Sequence, residues 1–574
     1  MLATRTLGAG LLCALISCNS FGNGIVGYPL SDGDAVAQLN SVPATGPVGP
    51  AAFRQPANFQ HPVLWQPEKI RANSDSGVLS ATLTAAYHEY DFTTFKDNQT
   101  FTKRVKLRKY NGQLLGPTLV ARPGDTLKIR LVNQLPEEQH PTCVTEDHGS
   151  GPHEHCNHNA PHNFNTTNLH THGLHVDPTG RGDNVFIELT SGESFDYEIR
   201  IPADHPAGTF WYHAHVHGGT SVQVGSGMAG ALIVKGDYNQ VPAIRDARKH
   251  TLVLQEIAFD DAGTIENNDT YAPTAWTDLA RSKGWHMAIN GQVMPEIHLR
   301  PGETGLWRFI QAGVRKNVKL ALVEPCSNQR LPLIQVAADG IAFDTKRLTP
   351  EQDVRMAPGY RSDVVVQIPH NGVYYLVDTE EAGNLAFPPQ YCHRNPEHRN
   401  FALDDTAQNI LARITVNGAR QYDALPLNAQ LASLTRPRPI SDAELLPNPE
   451  FLQFDIDISK TPWVGLINGR PYDPNYARVL KLNTAQTWEI SSVFSHHPYH
   501  IHVNPFEVIV RDTTGRISDR FWKDTILIEQ LNAQQDNKVE VRTRYADFAG
   551  AFVSHCHILD HGDHGMMEKI IIEP

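Results

Sequence analysis

Tyr110-Asn111-Gly112-Gln113, followed by Pro123-Gly124-Asp125-Thr126, is a phrase that the chain writes three times. It returns as Ile289-Asn290-Gly291-Gln292 with Pro301-Gly302-Glu303-Thr304. A more worn copy is Ile467-Asn468-Gly469-Arg470 with Asn483-Thr484-Ala485-Gln486-Thr487. Asn111 and Asn290 are 179 residues apart, and Asn290 and Asn468 are 178 apart. One Asn-Gly turn is commonplace in a β protein; three at equal spacing in matched contexts are a repeat. Around them apolar and polar residues alternate, as in Val105-Lys106-Leu107-Arg108, Leu127-Lys128-Ile129-Arg130-Leu131-Val132 and Phe195-Asp196-Tyr197-Glu198-Ile199-Arg200-Ile201. That is the signature of half-buried strands, and long helical patterns are missing. The chain reads as all-β, three related sandwiches in a row.

Composition narrows the function. The 574 residues carry a formal charge of −13, with a pI near 6.1, so there is no cationic footprint for nucleic acid. No apolar run approaches the roughly 20 residues of a membrane span. Histidine is the outlier: 29 residues, 21 of them in the windows 140–175, 205–217, 496–502 and 555–564. Such clustering points to metal.

Residues 1–18 have one basic residue, Arg5, then an apolar core and Ser17-Cys18, the layout of a secretory signal. Leu15-Ile16-Ser17-Cys18 also resembles a lipobox that would make Cys18 a lipidated N-terminus; the alternative is ordinary cleavage a few residues later. Both imply export, to the periplasm, the outer membrane as a lipoprotein, or the medium. Residues 19–75, rich in Pro, Ala, Asn and Gln, read as an irregular tether or an irregular wrap, not a domain. Of the seven cysteines, Cys143 could pair with Cys156 and Cys326 with Cys392, leaving Cys556 as a functional thiol.

Four motifs concentrate the histidines: His170-Thr171-His172-Gly173, Trp211-Tyr212-His213-Ala214-His215, His497-Pro498-Tyr499-His500-Ile501-His502, and His555-Cys556-His557-Ile558-Leu559-Asp560-His561, which runs on to Gly565-Met566. In a strand, residues i and i+2 face one side, so each His-x-His aims two imidazoles at one point. A single pair is weak evidence; four in one β protein are a metal-cluster signature. Cys556 faces opposite to His555 and His557, so its sulfur enters a different site. Cys556, His497 and His561 form a His₂Cys set, and Met566 suits a weak axial position, the donor set of a blue-copper centre. Met567 is the rival for that last place.

These motifs resemble the four copper signatures of the multicopper oxidases, over roughly residues 76–574. The resemblance implies three consecutive cupredoxin-like Greek-key β-sandwich domains, at 76–237, 248–420 and 450–574. It implies four copper ions. A type 1 copper would be held by His497, Cys556, His561 and Met566, a type 2 copper by His170 and His500, and a type 3 pair by His172, His213, His215, His502, His555 and His557. Electrons taken singly from a donor would leave the type 1 site through Cys556 towards His555 and His557, and O₂ would be reduced to water. Four cluster ligands come from 170–215 and four from 500–557, so the cluster belongs between the first and third domains, with no ligand from the middle one. Trp522-Lys523-Asp524-Thr525 also resembles a segment of the family's third domain.

O₂ reduction consumes protons, and Asp183 stands where the family usually has an acid. A second acid is missing: Gly562 and Leu559 occupy the two places where relatives carry one, with Asp560, Asp563 and His564 as substitutes. The expected partners are O₂ and a small reducing donor (a phenol, an aromatic amine or a low-valent metal ion), with the chain a monomer. An axial Met566 favours easily oxidised donors. Only seven methionines are present and none cluster beyond Met566-Met567, which weakens a cuprous-oxidase reading. The six histidines from His140 to His162 either recruit copper or belong to a solvated insertion. His217, His496 and His564 are expected beside the sites, not in them. Two competing classes are a copper-free scaffold of the same fold and a copper-sequestering tolerance protein.

Overall fold

The computed structural model describes residues 59–574, apart from 97–98, 139–142, 148–151, 157, 267–284, 345–349, 352, 381–384, 393–404, 422–430, 432 and 532–536. The signal, the lipobox and most of the tether lie outside the described residues.

The three Asn-Gly phrases fold alike. Asn111, Asn290 and Asn468 have φ of 52°, 51° and 51°, and the glycines that follow have 70°, 76° and 72°. Two successive positive φ values make the turn that matches the twist of a hairpin. Each asparagine also braces a neighbouring strand. Its Oδ1 accepts the N–H of Thr84, Val253 or Gln453 at 2.8–2.9 Å, and its Nδ2 donates to the carbonyl of Thr82, Thr251 or Phe451 at 2.9–3.0 Å. The second turn of the phrase is held by Gly124, Gly302 and, in the worn copy, Asn483, again with positive φ.

What these turns join repeats as well. Val78–Lys96 runs parallel to Thr126–Asn133, Arg248–Glu256 to Thr304–Gln311, and Glu450–Asp457 to Thr484–Ser492. Each parallel pair belongs to one sheet of a two-sheet sandwich with its own buried aliphatic and aromatic core. Among the described residues the longest helix is Thr220–Ser226, and no helix is long and apolar enough to cross a membrane.

Residues 59–75, the described end of the expected tether or wrap, form a strap with one short strand. Lys69–Arg71 adds a parallel strand to Thr118–Ala121. Upstream, Trp65 N–H donates to Gln292 Oε1 and the His61 ring to Met294 O, so the strap ties the first sandwich to the second. Cys326 and Cys392 are joined in a disulfide. Cys143 and Cys156 stand opposite each other in a hairpin of Cys143–Asp147 with Pro152–Cys156; their side chains lie outside the described residues.

Candidate metal centre

Strand register puts the third sandwich's ligand candidates on two faces. His497–Ile501 pairs antiparallel with Gly550–Cys556, His500 opposite His555 and Tyr499 opposite Cys556. Opposed residues share a face and successive ones alternate. His500, His502, His555 and His557 therefore look towards the first sandwich. His497, Tyr499 and Cys556 look into the third sandwich's own core, where Met566 is also buried. The same rule separates the rival methionines: Met567 pairs with His555 and packs on Val185 and Val553, on the other face.

Inside that core, Cys556 Sγ lies 3.4 Å from His497 Nδ1 and 3.9 Å from His561 Nδ1, and the two nitrogens are 3.1 Å apart. The His497 ring is oriented by its Nε2, which donates to Phe494 O at 2.7 Å. Burial pushes the His497 imidazole down to about 4 and raises the Cys556 thiol. A metal that displaces the thiol proton is the natural occupant of this trio.

Eight more imidazoles meet between the first and third sandwiches. In the first, His170 and His213 are bridged backbone to backbone, which brings together two motifs whose bridged residues are 43 apart in sequence. His172, His213 and His557 bring ligand atoms within 4.8 Å of one another, as do His215, His502 and His555, and also His170, His172 and His500. Across the junction His170 stacks on His502 at 3.7 Å and His172 on His500 at 3.8 Å. His215 Nε2 is 3.1 Å from His555 Nε2, and His557 Nε2 is 3.2 Å from His172 Nδ1.

The outer nitrogens are tied down: His213 Nδ1 donates to Ala214 O, His500 Nδ1 to Asp524 O, His555 Nδ1 to Cys556 O and His170 Nδ1 to Asp183 Oδ2, all at 2.8–2.9 Å. That fixes the tautomers and leaves the Nε2 lone pairs aimed inward. His170 Nε2, His213 Nε2 and His500 Nε2 are buried without a hydrogen-bond partner, a costly arrangement for a protein interior. Burial drives all eight imidazoles down, His213 and His500 to about 3 and His555 to about 4, so protons do not satisfy them. Metal–nitrogen bonds of about 2.0–2.1 Å accommodate neighbouring nitrogens at these separations. The residues present fit metal ions, and imidazole with thiolate suits copper.

Residues 446–574 match a family profile described as multicopper oxidase, and residues 93–149 and 157–239 match a second of the same description. The chain belongs to the multicopper oxidase family. Multicopper oxidase mco of Staphylococcus aureus is 26% identical over 519 residues, 89% of this chain and 91% of that one. A laccase of Bacillus stratosphericus is 23% identical, covering 82% and 91%. Among solved structures, a multicopper oxidase from Campylobacter jejuni, titled a metallo-oxidase, has the same fold with a TM-score of 0.66 at 22% identity, covering 90% and 96%.

For a multicopper oxidase the acids around the cluster matter. Asp183 is buried; besides its bond to His170, its Oδ1 accepts Thr171 N–H at 2.7 Å, and burial pushes the carboxyl up to about 7. The three substitutes for the missing acid have separate fates. Asp560 is ion-paired with Arg315. His564 stacks on Trp463 at 4.0 Å. Asp563 accepts the N–H groups of Thr220 and Ser221 at 3.1 and 2.8 Å and lines a small cavity with His215 and His555. Burial raises it to about 7.

The sequence reading missed the middle sandwich's contribution. Arg361 is fully buried beneath the cluster, its Nη1 2.7 Å from Asp524 Oδ1. Asp524 in turn receives His172 Nε2 at 3.2 Å. His172 therefore presents Nδ1 to the cluster, where His170, His213 and His500 present Nε2. Gly359, beside Arg361, leaves room for the His557 ring: a Cβ there would stand 2.9 Å from it. Asp524 was visible only as part of a family-like tetrapeptide, and nothing in sequence marked Arg361. Of the extra histidines, His496 bonds Asn317 at 3.0 Å and His175 Nδ1 donates to Val503 O at 2.8 Å.

These shifts set the pH response of the metal-free protein. Unfolded, the imidazoles take up protons below about 6.5; folded, they resist until lower pH, so the unfolded chain binds more protons and acid destabilises. Asp183 and Asp563 work in the opposite sense between about 4 and 7, but the imidazoles outnumber them. The unfolding free energy of the metal-free protein, and with it the urea midpoint, should fall as pH drops from about 6.5 towards 4, the free energy by about 1.4 kcal/mol per pH unit for each net proton. A midpoint that held steady or rose would contradict neutral, buried imidazoles.

Proposed function

We propose that this multicopper oxidase couples four one-electron oxidations of a small donor to reduction of O₂ to two waters, with four coppers placed as the motifs imply. His497, Cys556, His561 and Met566 would hold the type 1 copper, His170 and His500 the type 2 copper, and the remaining six histidines the type 3 pair. The observation that carries this reading is the adjacency of a buried His₂Cys trio and a buried eight-imidazole cluster, joined through Cys556. Bound copper supplies one-electron redox chemistry at the sulfur site and O₂ binding and reduction at the imidazole site.

The chain's own residues do the rest. Cys556 places its sulfur in one site while its covalent neighbours, His555 and His557, stand in the other, so one short stretch of backbone spans the two. His561 is the least buried of the four type 1 ligands, 7% exposed against none for the others, and Trp463 lies edge-on to it at 5.3 Å. A donor approaching from solvent meets the His561 edge beside an aromatic ring, which suits phenols and aromatic amines as well as metal ions. Asp183 holds the Nδ1 proton of His170 and so keeps that ring's lone pair turned inward.

Asp563 is the second acid in this reading. It faces the same cavity as His215 and His555 and carries a proton at its carboxyl for part of the time near neutral pH. Asp563→Asn should lower turnover at pH 7 by about 10²-fold, within the range for a general acid, and leave the blue colour and copper content unchanged. Turnover within a factor of about two of wild type would assign the role elsewhere.

Export as a monomer, with or without a lipid on Cys18, completes the reading; mass spectrometry of the mature N-terminus decides between the two forms. The alternative is a copper-tolerance protein whose oxidation of Cu(I) or Fe(II) is its main task. Steady-state O₂ uptake by copper-loaded protein with a phenol, Fe(II), Mn(II) and Cu(I) separates them. A phenol preference supports the laccase-like form, a metal-ion preference the tolerance form, and no uptake with any donor rejects both.

A further inference from the structure

Three histidines outside both sites line one cavity. His158, His162 and His217 border a space of about 290 Å³ that is also lined by Glu188, Tyr472 and the cluster's own His215. Burial increases along this row: His158 is exposed, His162 and His217 are partly buried, and His215 is buried. His217 also lines the smaller cavity that holds His215, His555 and Asp563, so it stands between the outer space and the cluster.

The rings are prepared as ligands. His162 Nδ1 lies 2.6 Å from Ala160 O and must donate, which leaves Nε2 with a free lone pair. His217 Nε2 lies 2.5 Å from His158 O and likewise donates, freeing Nδ1. Tautomers locked by backbone carbonyls are what metal-binding imidazoles use. The segment carrying His158 and His162 is pinned to the one carrying His217: His162 N–H donates to Gly218 O at 2.9 Å. Gly218 has φ +86°, and a Cβ there would come within 2.3 Å of the His162 ring, so a glycine is needed for this approach. Ring centroids are 5.8 Å apart for His162–His217 and 6.5 Å for His158–His162. The first matches spacings inside the cluster, such as 5.9 Å for His170–His500. The second closes with a rotation of the exposed His158 ring.

We propose that His158, His162 and His217 form a further copper position, at which an incoming ion is held before it passes to the buried cluster by way of His215. Imidazole donors suit copper among the first-row metals, and a row of them replaces hydrating water in steps as the ion moves inward. The waiting role rests on the copper reading above; the metal position itself does not.

The test is equilibrium dialysis of copper-loaded protein against Cu(II), with metal analysis, for wild type and for His158→Gln/His162→Gln. The wild type should hold one copper more per chain than the variant, while both keep the resident copper and the blue colour. The metal-free variant should also refill its cluster more slowly at limiting copper. Equal copper in the two proteins overturns the proposal, as does an extra ion that survives in the variant and is lost only with His153→Gln/His155→Gln. Absence of resident copper from both proteins would instead overturn the copper reading, which keeps the two failures distinct.

Discussion

Cys556→Ser should bleach the protein and abolish donor oxidation while leaving most of the cluster copper in place. A serine oxygen is not a soft donor, so the thiolate bond that gives a blue site its colour and potential is gone. The eight cluster imidazoles are untouched. Four of them lie on the other face of the same strand pair and four on the first sandwich, and His555 and His557 keep their backbone positions because serine is close to isosteric with cysteine. The expected readout is loss of the blue band, donor-driven O₂ uptake at background, and a copper count lowered by about one, the occupancy of a single His₂Cys site. Loss of all copper would mean that the two sites fold as one unit. Persistence of the blue band would mean that Cys556 is not its source.

The second large effect lies outside both ligand sets. Arg361→Met should destabilise the metal-free protein by about 3–5 kcal/mol, the usual cost of leaving one partner of a buried ion pair alone. Arg361 is 0% and Asp524 4% exposed in their side chains, so neither charge is screened by water. With Arg361 gone, Asp524 retains the Thr525 hydroxyl at 2.8 Å and the His172 ring. His172 and His500 are both oriented by Asp524, one through its carboxylate and one through its carbonyl. The coppers that His172 and His500 would hold should therefore be lost to a chelator more readily, by about 10–100-fold in affinity, as for other residues that orient ligands. Asp524→Asn combined with Arg361→Met should recover part of the stability, because the stranded charge is gone. A single variant as stable as wild type would contradict the pairing.

Much of this was legible because strands have a period of two. Parity alone separates Cys556 from its flanking histidines, and the repeated Asn-Gly turn announces three sandwiches. The Gly565-Met566 spacing favoured Met566, and register places Met566 in the core that holds Cys556 and Met567 on the opposite face. What was hidden depends on contacts between sandwiches. Arg361 lies 163 residues from Asp524, and no local pattern distinguishes it from any other strand arginine. The choice among Asp560, Asp563 and His564 turns on the short helix Leu559–Asp563. It rotates Asp560 to Arg315 and Asp563 to the N-terminus of Thr220–Ser226, which no spacing rule reveals. The strap at 59–75 was legible only as tether or wrap, because its strand is short and lacks alternation; it pairs by borrowing an edge of the first sandwich.

The most direct test of the central claim is the copper content of the purified, reconstituted wild type, measured together with the donor oxidised per O₂ consumed. Four tightly held coppers per chain, four electrons per O₂ and no released peroxide are the predicted result. A chain that folds but retains no copper, or that releases peroxide at two electrons per O₂, would contradict it.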